Sequence, residues 1–209
     1  SLMLVAILGN TSFMGIPIIH AYMGESALAY VLVYDQLGTC IALATYGTFI
    51  ASYYSNKNQI TFKIITLKVI TFPPLISLVV ALFLTGIEFD PIILKVLSSF
   101  ANTIVPIALV AVGLQLQFKL PKEEIKPFSV ALGVKLIFAP LIAIAISKLF
   151  SWENQASIVS IMEAGMAPMI TAGAIASIAG LAPRLSSAIV GYGILISFFS
   201  TNILYRLVG

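Results

Sequence analysis

The residues able to do chemistry fall at four places in an otherwise apolar chain. The first is the stretch GNTSFMGIPI, residues 9–18, which sets Asn10, Thr11 and Ser12 between Gly9 and Gly15 and ahead of Pro17. Backbone breakers and polar side chains are costly in hydrocarbon unless they line a cavity or meet protein partners. A helix broken here exposes N–H groups at the start of one half and carbonyls at the end of the other, and a half-helix N-terminus favours an anion. Asn10 can both donate and accept, which suits orienting a carboxylate. A helix–helix hydrogen bond worth on the order of 1 kcal/mol is the plainer use of the same side chain.

The second place is Asp35-Gln36 in VLVYDQLGTC, with Thr39 one turn further along the same face. An aspartate at the centre of a span costs roughly 2.5–3.5 kcal/mol on insertion scales, so it needs a reason to be there. Binding a cation or a proton is one reason, and pairing with a lysine as a structural carboxylate is the other. The third is Glu163 in SIMEAGMAP, just over one turn before Pro168. It reads as a proton carrier at a second helix break or as polar lining of a vestibule. The fourth is Lys135 in VALGVKLIFAP. It can neutralise Asp35 or Glu163, serve as a built-in cation, or snorkel toward the nearer membrane surface. Pro17 or Pro168 alone would be an ordinary kink. Two polar, proline-bearing breaks in corresponding positions point instead to a binding site at mid-membrane.

Other chemistries find no residues. No nucleophile–base pair, Gly-rich phosphate loop or His/Cys ligand set stands out, so neither an enzyme nor a metal site is expected. The single cysteine, Cys40, excludes a disulfide within the chain and reads as a small buried residue. Eleven basic against eight acidic residues leave a net charge of +3, spread through loops rather than gathered on one face, so nucleic acid is not an expected partner. His20 reads as interfacial, Trp152 and Tyr53-Tyr54 as membrane-interface anchors. Asn102 and Thr103, ahead of Pro106, read as packing and kink residues.

The elements that must hold these residues are spanning helices. Of 209 residues, 60% are hydrophobic and 9% charged, and mean hydropathy is +1.08, where a soluble domain carries about 25% charged residues. Seven apolar runs are long enough to cross a bilayer: 2–22, 26–52, 64–86, 91–117, 127–150, 155–180 and 183–208. They show no alternating polar face, which excludes a β-barrel. Lys57, Lys63, Lys119, Lys122, Lys126 and Arg184 fall in loops on one side. Glu25, Glu88, Asp90 and Glu153 fall on the other, with Lys148 and Arg206. The lysine-rich loops are therefore expected in the cytoplasm of a cell with this protein in its inner (plasma) membrane, with the C-terminus outside.

The runs 2–22 and 155–180 each contain a break and each precede a full helix. Setting Met23-Gly24 on Ala179-Gly180 relates them at an offset of 156 residues, in opposite orientations. That is the pattern of an inverted-topology repeat. The second unit then has five spans and the first only two. Ten helices are expected in all, with roughly 90 residues carrying three of them ahead of Ser1. No cleavable signal is visible in the first run, which opens without Met or a charged flank, as expected of a sequence that starts within a longer one. Ala172, Ala176 and Gly180 recur every four positions and are expected to allow close helix contact.

These stretches resemble a known family. GNTSFMGIPI with YMGESALAYVLVYDQLGT is similar to the fourth and fifth helices of the auxin efflux carrier family, which includes bacterial organic-anion carriers and the plant PIN exporters. ANTIVPIALVAVGLQL resembles its seventh helix, VKLIFAPLIA its eighth and MEAGMAPMITAGAIA its ninth. The resemblance implies an all-α integral membrane fold, a five-plus-five inverted repeat of which seven helices are here, with crossed broken helices. It implies transport-domain helices over 1–52, a cytoplasmic loop over 53–62, scaffold helices over 63–120 and transport-domain helices over 121–209. The implied anion site takes Asn10, Thr11, Gly15, Pro17, Gln36, Ala167 and Pro168. Asn10 matches the substrate-contacting asparagine of the plant members, although they place a proline where Gly9 stands. They carry a neutral glutamine at Glu163 and no acid at Asp35, and a basic residue is kept at Lys135. The added acids favour proton or sodium coupling over auxin itself, with no other cofactor.

The expected function is secondary transport of a small organic anion, a mono- or dicarboxylate, by alternating access around the crossing, with a homo-oligomer left open. Asp35, Glu163 and Lys135 are the coupling candidates. A sodium/proton exchanger with Asp35 as its ion carboxylate, and a non-transporting membrane module, are the rival readings.

Overall fold

The computed structural model describes residues 2–54, 73–103, 106, 107, 110, 122–178 and 180–209. Among them every regular element is helical. Helix α1 is Leu2–Val5. Helix α2 covers 11–23, a wide turn over Thr11–Gly15 running into regular helix over Ile16–Met23. Helix α3 is Glu25–Ala51, with its last turns reaching Tyr54. Helices α4, Pro73–Phe83, and α5, Pro91–Ala101, follow. Then come α6, Ile125–Leu149, α7, Gln155–Ala164, and α8, Ile170–Ile178. Helix α9, Pro183–Val208, closes the chain.

Among the described residues three helices, α3, α6 and α9, are long and apolar enough to cross a membrane unbroken. Their bounds lie within two residues of the expected runs 26–52, 127–150 and 183–208. The runs 2–22 and 155–180 are each split, at 6–10 around Gly9 and at 165–169 around Gly165 and Pro168, while Pro17 lies inside α2 rather than in the first break. The runs 64–86 and 91–117 are described only in part. Most of the loop 53–62, with Lys57, and also Lys63 and Lys119, lie outside the described residues.

Local chemistry sets the starts and stops. The Asn154 side chain caps α7 by accepting from the Ser157 N–H at 2.9 Å, and Asp90 caps α5 by accepting from Ile92 at 2.7 Å, with Pro91 at the first helical position. Gly24 and Gly180 both turn the chain with left-handed φ, +74° and +73°, a backbone region open to glycine at little cost. Gly180 therefore stands outside α8 and is exposed, so it is not part of a helix-contact stripe. Ala172 and Ala176 are fully buried, packed with Leu4 of α1, Leu8 in the first break and Ile50 of α3.

One end of the molecule gathers the C-termini of α2 and α9 and the N-termini of α3 and α7. Asn202 donates to the Tyr22 hydroxyl at 2.8 Å, Tyr22 and Tyr205 pack with ring centroids 4.6 Å apart, and Gln155 donates to Ser26 at 3.0 Å. Tyr46, late in α3, reaches the Met3 carbonyl at the far end. Helices α3 and α7 thus run side by side in one direction. The main core lies among α1, α2, α7 and the inner face of α9, with Met14, Ile19, Met162, Met166 and Ile189 fully enclosed. By contrast, α5 buries none of its residues and exposes Ile92, Leu97 and Phe100, a surface suited to hydrocarbon. Asn102 and Thr103 are exposed at its end rather than packed. Tyr53, Tyr54 and Trp152 are exposed, as interface anchors should be.

Candidate functional site

The two breaks cross. Where the helices unwind, Gly9 and Pro168 face each other as an isolated antiparallel bridge. The Asn10 N–H donates to the Ala167 carbonyl at 2.8 Å, and the Met169 N–H donates to the Leu8 carbonyl at 2.9 Å. Backbone groups freed by one break are therefore satisfied by the other, as low-dielectric surroundings demand. Pro168 stands at the position of this bridge that needs no donor, so its missing N–H costs nothing. Gly193 of α9 supports the crossing from behind, since a Cβ there would fall 2.5 Å from Pro168 Cδ.

Most of the polar side chains around the crossing sit on wide, π-type turns: Thr11 on Thr11–Gly15, Asp35, Gln36 and Thr39 on Tyr34–Cys40, and Lys135 on Val134–Phe138. Such turns insert an extra residue per turn, re-aim side chains and recur at functional sites. They carry Thr11, Asp35, Gln36, Thr39 and Lys135 inward, all buried.

Asp35 is 1% exposed and fully occupied. Its Oδ1 accepts from the Thr11 hydroxyl and from the Ser12 hydroxyl at 2.6 Å. Its Oδ2 accepts from Gln36 Nε2 at 2.6 Å and from the Cys40 thiol at 3.6 Å. Among the described residues no lysine takes part. The carboxylate binds α3 to the first turn of α2, where the helix N-terminus also favours negative charge. Cys40 is half-buried and engaged here, not a core filler.

Lys135 is 3% exposed and points into the protein, so it does not snorkel. Its ammonium donates to the Ala164 carbonyl at 2.8 Å, at the lip of the second break, and a Cβ on Gly9 would lie 2.8 Å from Nζ. A bulkier residue at 9 would shift the end of the lysine side chain. Glu163 is 0% exposed, and neither carboxyl oxygen has a hydrogen-bond partner. Its carboxyl lies directly on the backbone of Gly15, where a Cβ would collide with it. Asn10 Nδ2 and Gln36 Oε1 are also buried without partners.

A cavity of 280 Å³ opens between these groups, lined by Gly9, Thr11, Tyr34, Thr39, Lys135 and Glu163 among others. It is close in size to the smallest sites that enclose organic ligands. Of the expected site residues, Asn10, Thr11, Gly15, Gln36, Ala167 and Pro168 meet around the crossing, with Glu163, Asp35 and Lys135. Pro17 is buried one turn into α2 and starts its regular helix. Sequence reasoning missed Tyr34, which lines this cavity, and the roles of Ser12 and Cys40 on Asp35. A tyrosine next to a mid-span acid was the available signal. Among the described residues no group of three His, Cys, Asp or Glu could hold a metal ion.

An all-helical membrane protein with two broken helices crossing beside a cavity that takes in Thr11, Lys135 and Glu163 has the architecture of a transporter. The chain belongs to the family described as "Membrane transport protein", matched over residues 1–205, the auxin efflux carrier group its motifs resemble. An uncharacterised transporter of Methanocaldococcus jannaschii is 29% identical over 170 residues, 79% of this chain and 54% of the relative. One of Methanothermobacter thermautotrophicus is 24% identical over 181 residues, 84% of this chain and 57% of the relative. The chain thus spans a little over half the length of these archaeal relatives.

Proposed function

We propose that the protein is a secondary carrier for a small organic anion, a mono- or dicarboxylate, working by alternating access around the crossing. The observation that carries this is the buried Lys135 ammonium on a cavity of 280 Å³ next to the crossing, with the unpartnered Asn10 amide buried at the first break. An ammonium point charge, an amide donor and helix N-termini together recognise a carboxylate. Asn10, Thr11, Gly15, Pro17, Gln36, Ala167 and Pro168 form the proposed binding set. Asp35, Glu163 and Lys135 set the charge of the site and raise proton or sodium coupling.

In this reading 1–52 and 121–209 move as transport elements against scaffold helices within 63–120. The two units are an inverted repeat of a ten-helix protein in the inner membrane, with the lysine-rich loops cytoplasmic. The partners are the anion and the bilayer, with no nucleic acid. Two buried acids near one crossing, Asp35 and Glu163, favour sodium/proton exchange as the second reading. A sodium flux without any organic substrate would select it.

The test is ligand-induced thermal stabilisation in detergent, with acetate, malonate, succinate and benzoate as probes. The expected result is a shift with one class that Asn10→Ala removes. Equal shifts in parent and variant, or none with any probe, would refute the proposal.

A further inference from the structure

We propose that Glu163 is the coupling residue, carrying one proton between two cavities that approach it from opposite ends of the molecule, with the Tyr34 side chain as the partition between them. The inference rests on the carrier reading and adds the ion, its carrier group and its path.

The first cavity is the 280 Å³ space beyond the crossing, which contains Glu163 and Tyr34 together with Thr39 and Lys135. The second, of 350 Å³, lies among Ser147, Asn154, Ser157 and Ser160 and ends at Tyr34 and Ala164. Because α3 and α7 run side by side from Ser26 and Gln155, the second cavity occupies the end where those helices start. The first lies beyond Tyr34, one to two turns further along α3. Tyr34 borders both, and Glu163 precedes Ala164 on the wall between them. Three serine hydroxyls border the second cavity, each already bonded within the protein, and their remaining lone pairs can accept from water, which a proton needs to reach a buried carboxyl.

The charge around Glu163 explains why it would be loaded with a proton. Tyr34 and Asp35 face it from α3 and Lys135 from α6, while α2 offers the bare backbone of Gly15. Lys135 is tied to a backbone carbonyl and gives Glu163 no hydrogen bond. Asp35 already has four donors and a fixed place, so it is an anchor and not the moving charge. A buried carboxylate without a partner is expensive, and a proton neutralises it. With both acids ionised, the site has two negative charges against one ammonium. A proton on Glu163 brings it to neutrality, and an incoming carboxylate then meets Lys135 without net repulsion. Sodium would need several oxygen ligands at once, whereas a proton needs only the carboxyl itself. Proton and anion enter together, and both leave on the other side when the partition opens there. No bond other than the O–H of the carboxyl forms or breaks.

The experiment is an infrared pH titration of the protein in lipid films, paired with the carboxylate screen at each pH. The protonated-carboxyl band should titrate, vanish in Glu163→Gln, persist in Asp35→Asn and reappear at a changed frequency in Glu163→Asp. Carboxylate affinity should tighten as pH falls, by up to about tenfold per unit, the limit for one linked proton. Glu163→Gln should lose that dependence. A band that survives Glu163→Gln, or that Asp35→Asn removes, overturns the proposal. If no probe carboxylate binds at any pH, the carrier reading fails and the coupling with it, even where the band titrates. The two failures differ in which signal is missing.

Discussion

Removing the Asp35 carboxylate should unfasten α3 from the start of α2, and the size of the effect follows from its partners. Thr11, Ser12 and Gln36 donate to it, two of them at 2.6 Å, with the Cys40 thiol as a weaker fourth. A hydrogen bond to a charged group contributes about 1.5–3 kcal/mol net. The two hydroxyls can turn to nearby carbonyls, so Asp35→Ala is expected to cost about 3–5 kcal/mol after that recovery. Asp35→Asn behaves differently. Its carbonyl oxygen still serves Thr11 and Ser12, and its amide can donate to Gln36 Oε1, which is buried without a partner, once the Gln36 amide turns over. Only the charge assistance is lost, about 1–2 kcal/mol. At roughly 2–4 °C per kcal/mol for a chain of this size, Asp35→Ala should lower Tm by on the order of 10 °C and Asp35→Asn by a few degrees. The assay is thermal unfolding in one detergent at one scan rate, since membrane proteins often unfold irreversibly. An alanine variant as stable as the parent, or an asparagine variant as damaged as the alanine one, would refute the latch.

Three other perturbations probe different parts of the crossing. Asn10→Ala should barely change Tm, because the amide nitrogen has no partner to lose, yet it should abolish stabilisation by carboxylates; a large loss of intrinsic stability would show that the amide is structural. Gly193→Val should press on the Pro168 ring, already 2.5 Å from a Cβ at that position, and cost about 1–3 kcal/mol by overpacking, read as a lower Tm that Gly193→Ala shares in part. Lys135→Met keeps the stem and removes an ammonium held only by the Ala164 carbonyl. Stability should fall, because removing one member of a buried charge set leaves the acids Asp35 and Glu163 uncompensated, and carboxylate stabilisation should disappear; retained stabilisation by carboxylates would remove Lys135 from the site.

The amino-acid sequence by itself determined the solvent and the elements. Long apolar runs mean helices in lipid because backbone groups there must be satisfied within the segment, and so α3, α6 and α9 could be bounded to within two residues. It also located both breaks, since glycine, proline and small polar residues cannot continue a helix unnoticed in such runs. The family followed from the same stretches, because they carry the unusual residues.

Only the tertiary structure decided what each polar group does. Asp35, Glu163 and Lys135 are alike in sequence, single charges in apolar helices, and each admitted two or three uses. Their fates depend on contacts made across more than twenty residues for Asp35 and Lys135 and more than a hundred for Glu163, or by winding that no local pattern announces. Asp35 is anchored because Thr11 and Ser12 come round from the preceding helix. Lys135 is turned inward by a wide turn onto the Ala164 carbonyl. Glu163 is left without a partner because Gly15 brings bare backbone against it. Gly180, spaced like its neighbours Ala172 and Ala176, leaves the helix because a chain reversal there needs a positive φ. Tyr34 stood next to a mid-span acid, but an aromatic residue in an apolar helix is usually packing, and its place between two cavities exists only once α3 lies beside α7.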